Sequence, residues 1–145
     1  MDNSHHKFVS IVVPVYCEEE SINPFFNALT ESLEADIFDY EVVFVNDGST
    51  DSSLARLHEL ANANENIKIV TLSKNFGSLP AMTAGFLEAD GDAVVCLSVD
   101  LQDPPRLIPK LVEKWQEGFE VVWGVRRSRS DPLLKKLFAG LFYRL

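Results

Sequence analysis

The sequence predicts an α/β fold, a mostly parallel sheet with helices on both faces. Three observations predict it. Apolar, β-branched runs alternate five times with stretches of helical periodicity, each run ends in a polar loop, and Gly, Pro, Asn and Asp punctuate the joints. Continuous apolar runs suit strands buried on both faces, and right-handed crossovers then connect them.

Each element has its own signal. Phe8 to Val15 is the first strand, ended by Pro14 and the loop Tyr16-Cys17-Glu18-Glu19-Glu20. A helix starts near Ser21 or Asn23, with Pro24 in its first turn, and runs to about Ala35; Phe25, Phe26, Leu29 and Leu33 recur at helical spacing. Glu41 to Val45 is a second strand, opening into Asn46-Asp47-Gly48-Ser49-Thr50-Asp51. A helix with Leu54, Leu57, Leu60 and Ala61 on its buried stripe follows. Ile67 to Leu72 is a third strand, Ser73 to Gly77 its loop, and 79–90 a short apolar helix ended by Asp90-Gly91. Ala93 to Leu97 is a fourth strand, running into Ser98-Val99-Asp100-Leu101-Gln102-Asp103-Pro104-Pro105. Pro105 to Glu117 is an amphipathic helix stopped by Gly118. Phe119 to Val125 reads as a fifth strand, 126–131 as a polar loop, and Pro132 onward as a basic amphipathic helix.

In such sheets ligands sit outside the carboxyl ends of the strands. The five polar clusters, at 16–20, 46–51, 73–77, 98–103 and 126–131, all fall on that edge. Asp100, Gln102 and Asp103 offer the oxygen ligands a hard divalent cation wants, and Mg2+ usually takes only one or two from protein while phosphates supply others. An isolated Asp-x-x-Asp is more simply a solvated loop with Asp103 as helix cap. Convergence of five loops favours a site for an anionic, metal-bound ligand.

The 145 residues make one domain's worth, 46% hydrophobic and 24% charged, a soluble globular profile. Net charge is −9, unevenly spread: residues 126–145 carry six of the thirteen basic side chains and one acid, for +5, leaving −14 for residues 1–125. An acidic body argues against nucleic-acid binding, while the basic end fits a phosphate group or an acidic membrane surface. Cys17 falls in a loop and Cys96 in an apolar run, so no disulfide framework is expected and a reducing cytosolic setting is. There is no signal-peptide pattern and no run of membrane-spanning length. Ending within Leu141-Phe142-Tyr143-Arg144-Leu145, with no cap and no polar finish, the chain reads as cut inside a longer protein: a core over 1–131, then the basic helix 132–145 leading to a missing C-terminal part.

Five stretches carry a resemblance: Ile11-Val12-Val13-Pro14-Val15-Tyr16-Cys17-Glu18-Glu19, Val45-Asn46-Asp47-Gly48-Ser49-Thr50-Asp51, Ser73-Lys74-Asn75-Phe76-Gly77, Asp100-Leu101-Gln102-Asp103-Pro104-Pro105 and Leu141-Phe142-Tyr143-Arg144-Leu145. In this order and spacing the chain resembles the family 2 glycosyltransferases of the GT-A (Rossmann-like) fold. It is similar to the branch acting on polyprenyl phosphates, with dolichyl-phosphate mannose synthase and bactoprenol glucosyltransferase. The resemblance implies that Pro14, Val15 and Tyr16 line the base and Glu18 reaches the ribose or base. Asp47 would accept from a ring N–H, Lys74 would stand near the phosphates, and Gly77 would let backbone approach the ligand. It implies Asp100 and Gln102 as ligands of Mg2+ or Mn2+. Ser98 replaces the first aspartate of the family's Asp-x-Asp and is left to hydrogen-bond the nucleotide.

The activity so implied is inverting transfer of sugar from a UDP- or GDP-sugar to a polyprenyl phosphate at the cytoplasmic face of the cell membrane. Asp100 and Arg126 would serve catalysis, and Arg126, Arg127, Lys135 and Lys136, with Arg129, would hold the acceptor phosphate. The helix 132–145 would lie on the membrane surface or pack against a missing C-terminal half. Two alternatives remain: a saccharide acceptor, which needs a carboxylate base, or a nucleotide-sugar-binding module weakened by Ser98. A dinucleotide-dependent dehydrogenase is disfavoured, because no G-x-G-x-x-G follows the first strand.

Overall fold

The computed structural model describes residues 7–33 and 38–125. Four parallel strands, β1 (Phe8–Val15), β2 (Asp39–Asn46), β3 (Ile67–Thr71) and β4 (Ala93–Cys96), form one sheet in the order β3-β2-β1-β4. Between them run α1 (Ile22–Leu33), α2 (Ser53–Ala63) and α3 (Ser78–Glu88). After β4 a 3-10 turn at Pro105–Leu107 leads into α4 (Ile108–Gln116). The alternation read from the sequence therefore holds through four strands and four helices, with boundaries moved by a residue or two.

β1 is central because it is apolar on both faces: Val9, Ile11, Val12, Val13 and Val15 are all buried. It pairs with β2 along its whole length, Phe8↔Asp39 to Val15↔Asn46, and with β4 from Val9↔Ala93 to Val12↔Cys96. One face of the sheet presents Val9, Ile11, Val13, Val42 and Phe44 to α1, α2 and α4, which contribute Phe25, Leu29, Leu57, Ile108 and Val112. The Phe25 and Phe44 rings meet edge to face, 6.3 Å between centroids, a geometry that complements the ring quadrupoles. The opposite face presents Val12, Val43 and Val45 to Ala81 of α3. There Gly85 lets the helix sit close, since a Cβ would lie 2.4 Å from Val12 Cγ1. Helices thus cover both faces, as expected.

Below Val12 and Val43 the α3 face turns polar. Glu41, 4% exposed, accepts from Ser10 Oγ (2.5 Å) and the Asp90 amide (2.7 Å) and pairs with Lys68 Nζ at 2.7 Å. Lys68 also pairs with Asp90, and the Gly91 amide donates to Ser10 Oγ at 2.8 Å. Burial opposes ionisation of Glu41, but hydrogen bonds from Lys68, Ser10 and the Asp90 amide outweigh it and hold the carboxyl below its usual range. This cluster ties the turn after α3 to the sheet.

The fifth strand does not form. Residues 119–125 have no regular secondary structure, and Phe119, Val121, Trp123 and Val125 are exposed. A β-branched alternation becomes a strand only where a neighbour completes its ladder, and β4 is an edge with no such partner among the described residues. The helix read over 132–145, with Arg126, Arg127, Arg129, Lys135 and Lys136, lies outside the described residues, as does the loop 126–131. Among the described residues no helix is long and apolar enough to cross a membrane.

Candidate functional site

At the carboxyl edge of the sheet the loops after β1 and β2 are cross-braced. The Cys17 amide donates to Ser49 Oγ (3.0 Å) and the Glu18 amide to Ser53 Oγ (2.9 Å). The Glu19 amide donates to Asp51 Oδ2 (3.3 Å), and Glu19 returns the bond by accepting from the Ser52 amide at 2.7 Å. Asp51 also accepts from the Ser53 amide, the first of α2, at 3.0 Å. Burial would raise the Asp51 pKa, yet Ser53 and the Glu19 amide hold it below its ordinary value. Cys17 takes a positive φ of 53° at the centre of this brace, its Sγ 3.6 Å from Thr50 Oγ1. Hydrogen bonds with Thr50 lower the thiol pKa.

The loop after β3 is seated on the same β2–α2 turn. Asn46 accepts the Leu72 amide on its carbonyl (2.9 Å) and the Ser49 amide on Oδ1 (3.1 Å). Asp47, 3% exposed, accepts from the Phe76 amide on Oδ1 (2.8 Å) and from the Gly77 amide on Oδ2 (2.9 Å). Gly48, at φ 66°, lets the two backbones touch: a Cβ there would lie 2.4 Å from the Lys74 carbonyl carbon and 2.6 Å from the Asn75 nitrogen.

These loops enclose a cleft of about 550 Å³. Pro14, Val15, Tyr16, Glu18, Asp47, Gly77 and Ser98 line it, so the structure brings together most of the residues read as nucleotide-binding. Lys74 is not in the lining; its ammonium sits over the Phe76 ring, 5.1 Å from the centroid. Glu18 faces the cleft with Oε2 accepting from Ser21 Oγ at 2.6 Å. The sequence reading did not single out Asn75, Ser78, Cys96 or Trp123 as lining residues. Two of them, Asn75 and Ser78, adjoin residues it did choose. Trp123 could not be found that way, because its place depends on where an irregular segment returns.

The acidic loop after β4 is a tight turn. Asp100 Oδ1 accepts from the Gln102 amide at 3.0 Å, with Leu101 at a positive φ of 59°. Asp100 and Gln102 are exposed and are not part of the cleft lining, whereas Asp103 is. Burial, with the charge of Asp103, pushes the Cys96 thiol up to about 11, so Asp103 brings negative charge to the inner wall. No group of three or more His, Cys, Asp or Glu positioned to hold a metal occurs among the described residues. The donor set is nevertheless all oxygen, two carboxylates and an amide in four positions, which fits a hard cation that draws its remaining ligands from a phosphate-bearing molecule.

Comparisons with known proteins agree on one family. The family model described as glycosyl transferase family 2 matches residues 10–140. The chain is 46% identical over 143 residues to an uncharacterised glycosyltransferase, YkcC, of Bacillus subtilis, covering 98% of this chain and 44% of that protein. It is 43% identical over 138 residues to a bactoprenol glucosyl transferase of Shigella phage SfV (94% and 45%). It is also 43% identical over 129 residues to an undecaprenyl-phosphate 4-deoxy-4-formamido-L-arabinose transferase of Proteus mirabilis (88% and 40%). The chain thus spans less than half the length of these relatives. Among solved structures, a Pyrobaculum calidifontis mannosyltransferase in complex with GDP-Man and Mn2+ aligns with a TM-score of 0.67 at 24% identity, over 83% of this chain and 35% of that one. S. aureus TarS 1-349 in complex with UDP-GlcNAc aligns at 0.62 with 26% identity, over 87% and 37%.

Proposed function

The chain belongs to glycosyl transferase family 2, and from that premise we propose that its protein transfers a sugar from a UDP- or GDP-sugar to a polyprenyl phosphate. One observation carries the donor half: Pro14, Val15, Tyr16, Glu18, Asp47, Gly77 and Ser98 line a single cleft at the carboxyl ends of the strands. Its volume of about 550 Å³ suits a ligand of that size. The relative bound to UDP-GlcNAc supports a nucleotide-sugar. The relatives named for bactoprenol and undecaprenyl phosphate support the acceptor.

In this reading Pro14, Val15 and Tyr16 flank the base and Glu18 approaches the ribose. Gly77 brings backbone to the phosphates, Lys74 adds positive charge nearby, and Ser98 hydrogen-bonds the nucleotide. Asp100 and Gln102 would hold Mg2+ or Mn2+, and Asp103 lines the cleft. When bound, the metal supplies charge neutralisation of the diphosphate leaving group. The transfer is an inverting displacement. An oxygen of the acceptor phosphate forms the new bond to the anomeric carbon as the bond from that carbon to the nucleoside diphosphate breaks. The acceptor is already anionic, so no general base is required of the chain. Arg126, Arg127, Lys135 and Lys136 hold the acceptor phosphate, and the basic stretch 132–145 meets an anionic membrane surface at the cytoplasmic face.

Thermal melting of the full-length protein tests the donor reading. UDP- or GDP-sugar with Mn2+ raises the melting temperature, and Asp100→Ala abolishes most of the Mn2+-dependent part. Absence of a shift with every nucleotide tried would sink it. Replacing Ser98 with Asp and assaying transfer separates an enzyme from a binding module: turnover only in the aspartate variant favours the module.

A further inference from the structure

We propose that the protein docks edge-on to a bilayer surface through the α3 side of the cleft mouth, with Phe76, Leu79 and Trp123 entering the interfacial layer and Lys74 meeting anionic headgroups. The inference rests on the polyprenyl-phosphate acceptor proposed above and names the part of the described chain that faces the lipid.

Charge and exposure set this side of the mouth apart. Between Glu65 and Glu88 there is no acidic residue, in a chain that has 22, and from Ser73 to Leu87 the only charge is Lys74. That stretch is the β3–α3 loop and all of α3 but its last residue. A helix that is apolar all round is ordinarily buried all round. Of the residues of α3, however, only Ala81 and Gly85 are fully buried, and Phe76, Leu79, Phe86 and Leu87 are exposed among the described residues. The loops after β1 and β4 are unlike it. Tyr16 is exposed close to Glu18, Glu19 and Glu20, and Leu101 shares its turn with Asp100 and Asp103. An acid-free apolar side bearing one ammonium complements an anionic surface, whereas the two acidic loops repel one.

Position in the fold selects the edge over the flat of the helix. Phe76 lies in the loop at the carboxyl end of β3, Leu79 in the first turn of α3, and Trp123 in the cleft lining, so all three stand where the cleft opens. The Lys74 ammonium lies over the Phe76 ring, 5.1 Å from its centroid. A cation and an aromatic joined at one tip suit the boundary between headgroups and acyl chains. A polyprenyl chain stays in the lipid and only its phosphate rises to the headgroups, so a cleft that receives that phosphate opens toward the bilayer. Phe86 and Leu87 are exposed too, but at the other end of α3. The step from Leu79 to Leu87 is about 12 Å of helix axis, more than the roughly 5–10 Å that an interfacial element buries, so edge-on docking leaves Phe86 and Leu87 in water.

Leu79 and Leu87 supply the test, because both are exposed, at 71% and 80%, on one helix, and neither lines the cleft. The full-length protein is mixed with phosphatidylcholine vesicles that contain phosphatidylglycerol and brominated acyl chains. Edge-on docking predicts strong quenching of the tryptophan added by Leu79→Trp, little for Leu87→Trp, and a loss of quenching in Trp123→Phe. In transfer assays Leu79→Asp raises the KM for a long-chain polyprenyl phosphate in vesicles by about tenfold, the scale of one lost apolar contact, and Leu87→Asp does not. With a short-chain, water-soluble prenyl phosphate and no lipid, both variants match wild type, as do their nucleotide affinities. Equal effects at the two leucines, or a loss in Leu79→Asp that persists with the soluble acceptor, overturn the inference. So does a lower melting temperature or a changed oligomeric state of lipid-free Leu79→Asp, since the rest of the chain or a second copy then covers that residue. Wild type that transfers to neither prenyl phosphate removes the acceptor reading, and this inference with it.

Discussion

Two buried acids lie six positions apart, Glu41 within β2 and Asp47 in the turn that follows it. Each accepts main-chain amides at one end of α3, Glu41 from Asp90 after the helix and Asp47 from Phe76 and Gly77 before it. The difference lies in what neutralises them. Glu41 has the Lys68 ammonium at 2.7 Å and the Ser10 hydroxyl, whereas the donors recorded for Asp47 among the described residues are neutral amides, and it borders the cleft. A compensated acid is absorbed by the fold. The acid held by main-chain dipoles borders the cleft, at the carboxyl end of the strand where the loops converge.

The largest expected effect tests this contrast directly. Removing Glu41 with Ala lowers unfolding free energy by about 2 kcal/mol, below the usual cost of breaking a buried pair because Lys68 is 41% exposed. Nucleotide affinity stays within about twofold of wild type, too small a free-energy change to register as a lost contact. Removing Asp47 with Ala costs stability by about 1–2 kcal/mol and donor affinity by about tenfold. Urea unfolding alongside nucleotide titration reads both, and equal losses of affinity in the two variants would erase the distinction.

A smaller effect is pH dependence. The Glu41 pKa is depressed below its ordinary 4.5 in the folded chain, so its contribution is present above that value and is lost as pH falls through the lower, folded one. The Lys68 pKa is raised above 10.5 by Asp90 and Glu41, so its contribution is present below that value and is lost as pH rises through the folded one. The melting-temperature gap between wild type and Glu41→Gln should be flat between these limits and close at the acid end. A gap that widens on acidification contradicts the pairing. The smallest effect is chemical: near neutral pH a thiol reagent should modify exposed Cys17 well before Cys96, whose pKa burial pushes to about 11. Equal rates would mean that the cleft wall opens readily.

Much of this was legible in the sequence, for physical reasons. Runs such as Phe8 to Val15 and Glu41 to Val45 specify strands because both faces are buried, and helical periodicity at Phe25, Leu29 and Leu33 fixes α1 locally. That the polar loops share one edge was legible because a parallel sheet gathers its loops there. Phe119 to Val125 misled because it carries strand composition without a ladder, and composition does not supply a neighbour. The bracing of Cys17 to Ser49, and of Asp47 to Phe76, was not legible at all. Those partners are about thirty residues apart and meet only through the strand order β3-β2-β1-β4.

The unladdered margin of β4 has a consequence for handling the protein in solution. Among the described residues β4 has an unpaired edge with Val94 42% exposed, and Phe119, Val121, Trp123 and Val125 are exposed, so this part is a template on which a strand of another molecule can add. These residues expressed alone are expected to associate as concentration rises, and Val94→Lys, by placing charge on that margin, to hold them dispersed in sedimentation runs.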